Sequence, residues 1–129
     1  MKILLDSDVL FALFVATDVH HAEIAALIST LSGAELISTN LVIQETATVL
    51  SYKIGQDASL AFLKKLEWLD LTTLVVDEAL GKKAWEVFKK QSKKGTSFID
   101  CANLACIELY RFDGILSYDH AYPKNVRLT

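Results

Sequence analysis

Four acidic residues lie in apolar surroundings that offer them no cationic partner. Asp6 directly follows an apolar run at the N-terminus, and Asp119 comes shortly after another near the C-terminus. Asp100 precedes a largely apolar helical pattern, and Glu45 interrupts one beyond the positions that cap a helix. A buried carboxylate without a partner either costs several kcal/mol or loses its charge. A divalent cation would neutralise all four acids if the fold brought them together.

The ligand chemistry of this set favours a hard cation. Carboxylate oxygens suit Mg²⁺ or Mn²⁺, and no cluster of His or Cys indicates a zinc site. A carboxylate-held Mg²⁺ that retains water can neutralise a phosphate, generate an attacking hydroxide and stabilise a leaving oxygen. The acids therefore predict metal-dependent hydrolysis of a phosphodiester.

Local structural roles are the alternative for each acid. Asp6 and Asp8 could occupy a turn or cap the next helix, and Asp119 could shape its own turn. Asp100 has the strongest alternative, because Ser97 and Asp100 have the spacing of a capping box with Asp in place of Glu. Convergence of all four at one place would favour the metal over these separate roles.

Strands and helices alternate along the chain, which predicts a parallel sheet with helices on both faces. Predicted strands are 3–6, 35–38, 71–76 and 114–117, with 126–128 as a candidate edge strand; predicted helices are 10–14, 18–31 capped by Asp18, 40–55, one opening at Asp57 with Leu60, Leu63, Leu66 and Leu69 on its apolar face, 77–94 and 97–110. Sites in such sheets form outside the carboxyl ends of the strands. Asp6 and Asp119 fall at those ends, and Glu45 and Asp100 fall early in helices that leave the same edge.

Four short segments, taken in order, resemble the PIN-domain family, and most of all its small single-domain toxins of the VapC kind. The matching segments are Leu4-Leu5-Asp6-Ser7-Asp8-Val9-Leu10, Val42-Ile43-Gln44-Glu45, Ser97-Phe98-Ile99-Asp100-Cys101-Ala102 and Ile115-Leu116-Ser117-Tyr118-Asp119. They keep the family's order and usual separations, so the resemblance covers essentially the whole chain.

The resemblance implies a single PIN domain over residues 1–129, with an α/β fold of three layers, α/β/α, around a short central parallel sheet. It implies a Mg²⁺- or Mn²⁺-dependent endoribonuclease whose metal-site acids are Asp6, Glu45, Asp100 and Asp119. It also implies an RNA substrate, a cognate antitoxin protein that wraps the toxin and blocks its site, and a homodimer.

Three further residues are expected beside the acids. Ser117 corresponds to a small hydroxyl residue that is common near the site in this family. Asp8 departs from the family, which often has Asn, Ser or Thr there. It could add a supporting acid, hold Ser7 in place or cap the helix.

Bulk properties favour one cytoplasmic domain. The 129 residues are 52% hydrophobic and 22% charged, which excludes a disordered chain. No apolar run approaches the roughly 18–20 residues of a membrane span, and the acids Asp6 and Asp8 stand where a signal peptide would be basic or apolar. Cys101 and Cys106 are expected to be small buried side chains without a disulfide.

Basic and aromatic residues give weaker signals. The net charge of −3 argues against broad nucleic-acid binding, but six lysines crowd one predicted helix and its exit. They are Lys82, Lys83, Lys89, Lys90, Lys93 and Lys94. A solvated helix face is the first interpretation of this set, and phosphate contact with RNA is the functional one. His20 and His21 are expected on a surface helix far from the acids.

Two other functions remain open at this stage. The segment containing Asp6 and Asp8 also resembles the opening motif of haloacid-dehalogenase phosphatases, in which Asp6 would be the nucleophile and Asp8 the acid. That alternative leaves Glu45 unexplained. The other possibility is a catalytically silent PIN fold that binds RNA or a partner.

Overall fold

The structure, a computed structural model, describes residues 1–129 and contains four strands and six helices in the predicted alternation. The elements in chain order are β1 (Lys2–Leu5), α1 (Ser7–Phe14), α2 (His21–Thr30), β2 (Glu35–Thr39), α3 (Asn40–Lys53), α4 (Gln56–Leu66), β3 (Leu71–Leu74), α5 (Glu78–Lys89), α6 (Phe98–Tyr110) and β4 (Gly114–Leu116). None of the helices is long and apolar enough to cross a membrane.

All four strands form one parallel sheet in the order β3-β2-β1-β4. Leu4 of β1 pairs with Ile37 of β2 on one side and with Ile115 of β4 on the other. The chain therefore leaves the central strand β1 in both directions, and the carboxyl ends of β1, β2 and β4 meet at one edge. This edge is the topological switch point, where α/β folds place their sites. The predicted fold class is confirmed.

Buried side chains fill both faces of the sheet, so the molecule has three layers. Ile3 and Leu5 belong to one buried cluster, with Val9 of α1 and Val42 of α3. Leu4 points to the opposite face and joins the second cluster, which includes residues of α5 and α6. The alternation follows from the strand period of two, because successive side chains of β1 leave opposite faces.

The predicted apolar face of α4 is wrong for Leu60 and Leu63, whereas Leu66 packs against the core and Leu69 lies beyond the end of the helix. Leu60 and Leu63 are 53% and 43% exposed, whereas Phe62 is 1% exposed and Ser59 is buried. The Ser59 hydroxyl donates a hydrogen bond of 2.7 Å to the carbonyl of Ala47 on α3. That polar contact docks α4 through its Ser59–Phe62 face and turns the two leucines outward.

Element boundaries also differ from the prediction, and both β3, at Leu74, and α5, at Lys89, end before the predicted residues 76 and 94. Helix α1 begins at Ser7 because the Asp6 side chain caps it, and not at residue 10. Helix α2 begins at His21, because the carboxylate of Asp18 accepts the backbone amide of His20 at 2.8 Å and holds the preceding turn outside the helix. The candidate edge strand 126–128 is a single bridge between Ile115 and Arg127.

Both cysteines of α6 are free and buried, as predicted. Burial raises the pKa of the Cys106 thiol to about 11. Because the thiolate is the reactive form, this residue is inert at neutral pH.

Candidate metal centre

Asp6 lies at the centre of the edge where the strands end. Its carboxylate is 4% exposed and caps α1 by accepting the backbone amide of Ser7 at 2.9 Å. The hydroxyl of Ser117, just after β4, donates to Asp6 Oδ2 at 2.9 Å, and Asn103 Nδ2 of α6 donates to Oδ1 at 3.3 Å. The capping role proposed as an alternative is therefore real. The capping contact is only one of three hydrogen bonds that this buried carboxylate accepts, because Ser117 and Asn103 also donate to it.

Asp8 ties the first turn of α1 to the segment after β4. Its Oδ2 atom accepts the backbone amide of Tyr118 at 2.8 Å and lies 3.5 Å from the Ser117 hydroxyl. The same hydroxyl accepts the backbone amide of Asp119 at 3.0 Å. Asp8 Oδ1 is buried and has no hydrogen-bond partner. One carboxylate oxygen at this edge is thus left with unused acceptor capacity.

Asp100 is connected to Asp6 through two neutral side chains. The Tyr122 hydroxyl donates to Asp100 Oδ1 at 3.0 Å, and Asn103 Nδ2 donates to the Tyr122 oxygen at 2.9 Å as well as to Asp6. The predicted capping box does not form, because Ser97 caps α6 by accepting the amide of Ile99 at 3.1 Å and Asp100 turns towards Tyr122. The strongest structural alternative for Asp100 is therefore wrong.

Asn103 and Tyr122 are site residues that the sequence analysis did not identify. Asn103 is fully buried and Tyr122 is 2% exposed. A signal for Asn103 was available, because it is a polar residue one helical turn after Asp100 in an otherwise apolar helix. Tyr122 gave no comparable signal, since it lies in a loop beyond the last strand.

Asp119 and Glu45 occupy the outer part of the cluster. Asp119 is exposed and accepts the amide of Ala121 at 2.8 Å, so its predicted turn-shaping role is confirmed. Glu45 is partly buried on α3, and its carboxylate takes part in no side-chain hydrogen bond or ion pair of the structure. Burial is the first cause that raises the pKa of Asp100, and the charges of Asp119 and Glu45 raise it further.

Burial and mutual repulsion oppose the ionisation of Asp6, Asp8 and Asp100. Burial, followed by the charges of Asp8 and Asp100, raises the pKa of Asp6 from 3.8 to about 7, although hydrogen bonds from Ser7 and Ser117 oppose the change. Burial is also the main cause that raises the pKa of Asp8 and of Asp100. A group of carboxylates in this condition gains stability from any cation that replaces their protons.

A hard divalent cation fits the chemistry of these donors, although the side chains do not form a closed cage. No three His, Cys, Asp or Glu side chains are arranged so that they could hold one metal ion. Mg²⁺ commonly binds through one or two carboxylates while waters and substrate phosphates complete its shell. The unpartnered Oδ1 of Asp8 and the raised pKa of Asp6 and Asp100 are consistent with such an open site.

Lysines adjoin the acids on one side. Lys93 and Lys94, between α5 and α6, line a cavity of about 230 Å³ together with Asp100 and Asp119. Lys83 of the same predicted set instead pairs with Glu108 at 3.6 Å. Of the six predicted lysines, Lys93 and Lys94 therefore lie beside the acids, whereas Lys82 and Lys83 pair with glutamates.

His20 adjoins the acids on the other side. Its ring stacks on that of Tyr118, with centroids 3.7 Å apart and planes inclined by 13°. Both rings line a cavity of about 310 Å³ that also includes Asp8. The expectation that His20 lies far from the site is wrong, because α2 starts at His21 and the turn before it brings the His20 ring onto Tyr118, just after β4.

The family model of the PIN domain matches residues 3–127. The chain belongs to the PIN domain family. It is 29% identical over 127 residues to a VapC ribonuclease of Archaeoglobus fulgidus, and the match covers 95% of this chain and 80% of the relative. The PIN fold agrees with a solved structure, the toxin VapC20 of Mycobacterium tuberculosis, described as cleaving the sarcin-ricin loop. That structure has a TM-score of 0.82 and 22% identity, and the match covers 91% of this chain and 89% of the other. The resemblance to PIN domains is confirmed.

Proposed function

We propose that this PIN domain is a Mg²⁺- or Mn²⁺-dependent endoribonuclease and the toxin of a toxin–antitoxin pair. The observation that carries the proposal is the group of acids at the switch point of the sheet, where Asp6 is buried with a pKa raised to about 7. The likeness to a VapC ribonuclease over 95% of the chain supports RNA as the substrate class.

Asp6 and Asp100 are the proposed inner ligands, and Glu45 and Asp119 would complete the negative surroundings. When bound, the cation would activate water and stabilise charge on the phosphate. The protein's own contribution is orientation. Asn103 donates to both Asp6 and the Tyr122 oxygen, so that the two carboxylates keep a fixed separation.

Ser117 has a supporting role in this proposal. Its single hydroxyl proton goes to Asp6 while its oxygen accepts the amide of Asp119, so the hydroxyl links two of the proposed acids. Asp8 holds the same segment through the amide of Tyr118. Of the three roles considered for Asp8, its hydrogen bonds favour support of the acid cluster. Ser7 supports Asp6 by donating its backbone amide.

Lys93 and Lys94 are the proposed contacts for the RNA backbone. They line the cavity that contains Asp100 and Asp119, so a phosphate bound there would reach the acids. Lys82 and Lys83 pair with glutamates within 4.0 Å, which favours the solvated-face interpretation for them. Lys89 and Lys90 are exposed at the end of α5 and remain candidates for more distant contacts.

An antitoxin and a second copy of the chain are the proposed protein partners. Several large apolar side chains are exposed, among them Tyr52 at 88%, Trp68 at 84% and Ile54 at 56%. Exposed apolar surface of this kind suits burial against a partner.

The phosphatase alternative gives roles to Asp6 and Asp8 but leaves Glu45 unexplained, whereas the PIN-domain match spans residues 3–127 and includes all four acids. A trapped aspartyl-phosphate on Asp6 would nevertheless revive this alternative. The silent-module alternative predicts an intact fold without turnover.

Cleavage of a structured RNA pool tests the proposal. We expect the wild-type protein to cleave with Mg²⁺ or Mn²⁺ and to stop when EDTA is added. Asp6→Asn should abolish cleavage while circular dichroism shows an intact fold, and Asp70→Asn, which changes an exposed acid before β3, should cleave normally. Cleavage that persists in EDTA or in Asp6→Asn would refute the proposed centre.

A further inference from the structure

The cavity on the His20 side of the acid cluster is not used by the proposed mechanism. It has a volume of about 310 Å³, within the range of roughly 300–1,000 Å³ typical of ligand pockets. Its walls include His20, Tyr118, Phe11 and Lys53, which come from α1, α3 and the two turns at this edge. It therefore combines aromatic rings with one cation, and the carboxylates of Asp8 and Asp18 also line it.

The stacked pair of His20 and Tyr118 is fixed at its base. The amide of His20 donates to Asp18 at 2.8 Å, and the amide of Tyr118 donates to Asp8 at 2.8 Å. Both rings are partly exposed. An aromatic platform whose backbone is held on both sides loses little freedom when a flat ligand stacks on it.

Lys53 gives the wall of the cavity a positive charge. Lys53 Nζ lies 5.5 Å from the centroid of the Phe11 ring, in the range of a cation–π contact. Lys53 is exposed at the end of α3, so its ammonium group remains accessible to an anion.

The cavity adjoins the acid cluster through Asp8. Asp8 lines it, and Asp8 Oδ2 lies 3.5 Å from the Ser117 hydroxyl, which in turn donates to Asp6 at 2.9 Å. A nucleotide whose phosphate lies at the acids therefore has this cavity beside it. Its base is attached through the ribose and is unpaired in single-stranded RNA, and proteins bind such bases by stacking on aromatic residues.

We propose that this cavity is a base-binding subsite that receives the unpaired nucleotide beside the scissile phosphate, with His20 and Tyr118 as the stacking platform and Lys53 as a phosphate contact. The proposal rests on the proposed ribonuclease function. It makes His20 a residue that determines which RNA sequence is cleaved.

Equilibrium binding of single nucleotides in EDTA provides a test that does not depend on cleavage. AMP, GMP, CMP and UMP would each be titrated into the protein while NMR follows the ring protons of His20 and Tyr118. We expect at least one nucleotide to shift these signals by stacking. His20→Ala should weaken its binding by about 5- to 100-fold, the loss expected for one stacked base.

Three further variants locate the effect. His20→Phe should restore binding because it keeps an aromatic ring, and Tyr110→Ala should leave binding unchanged because Tyr110 is exposed on α6 and does not line the cavity. Lys53→Gln should remove the advantage of a nucleoside monophosphate over the corresponding nucleoside. This last variant keeps both rings and therefore tests the subsite even if His20→Ala impairs folding.

The outcomes for subsite and activity can be separated. If no nucleotide shifts the His20 and Tyr118 signals, or if binding is equal in His20→Ala and wild type, the subsite is wrong even when RNA is cleaved. If nucleotides bind there but no RNA is cleaved, the subsite stands and the ribonuclease proposal fails. If both hold, His20→Ala should also relax the base preference beside the cleavage site.

Discussion

Replacing Asp6 by Asn should change the pH dependence of folding stability more than any other single substitution at the acid cluster. The pKa of Asp6 rises from 3.8 to about 7 in the folded protein, first because of burial and then because of the charge of Asp8. Between these two values the native state holds a proton that the unfolded chain has released. The free energy of unfolding of the wild type therefore falls as the pH rises through this window.

The magnitude follows from the width of the window. Each pH unit corresponds to about 1.4 kcal/mol, so ionised Asp6 costs the fold about 4 kcal/mol at pH 8 relative to its protonated form. Asparagine removes this cost but adds a second amide hydrogen, which costs about 1–3 kcal/mol if it is left without an acceptor. Asp6→Asn should accordingly gain about 1–3 kcal/mol at pH 8 and lose a similar amount at pH 4.

Urea denaturation in EDTA at several pH values between 4 and 8 measures this difference. The difference in unfolding free energy between Asp6→Asn and wild type should move by about 3–4 kcal/mol across the series, with unchanged m-values. Asp70→Asn is the matched control, because Asp70 is exposed and forms no side-chain hydrogen bond in the structure, and it should change stability by at most about 0.5 kcal/mol. A difference for Asp6→Asn that stays constant with pH would refute the reasoning.

Two other substitutions test the surroundings of the centre. Tyr122→Phe removes the hydroxyl between Asn103 and Asp100, and should cost about 1–3 kcal/mol in urea denaturation and slow cleavage; unchanged cleavage would show that this link does not position Asp100. Replacing Lys93 and Lys94 together by Glu should weaken RNA binding and flatten its salt dependence, with the slope falling by roughly 0.7 for each phosphate that the protein no longer neutralises. The matched control replaces Lys64 and Lys65 of α4 together by Glu and should leave that slope unaltered. An equal effect of both double substitutions would show that only the change in net charge matters.

The sequence predicts the place of an acid in the fold only when the residues next to it in the chain determine that place. Asp6 follows an apolar strand directly, so its place at the end of β1 depends only on the short-range pattern. Asp100 could not be assigned in the same way, because Ser97 and Asp100 have capping-box spacing and only the fold shows that Tyr122, distant in sequence, takes up the carboxylate.

The remaining errors have the same physical origin. Leucine spacing in α4 predicted a buried stripe, but the polar contact from Ser59 to α3 decides which face docks. The sequence gives no sign of a partner for His20, because Tyr118 is nearly a hundred residues away and approaches only when β4 pairs with β1. Contacts between segments that are distant in the chain leave no pattern in the local sequence. At this site such contacts position the residues around the acids, whereas short-range patterns already indicate the acids themselves.

Calorimetric titration of Mn²⁺ into the metal-free protein tests the central claim most directly. The titration would be run near pH 6.5 in two buffers of different ionisation enthalpy. The account predicts saturable binding whose heat depends on the buffer, because the cation displaces protons from Asp6 and its neighbours, and it predicts strongly weakened binding in Asp6→Asn. Absence of binding by a folded wild-type protein, or equal binding by Asp6→Asn, would contradict the claim that these carboxylates form a metal centre.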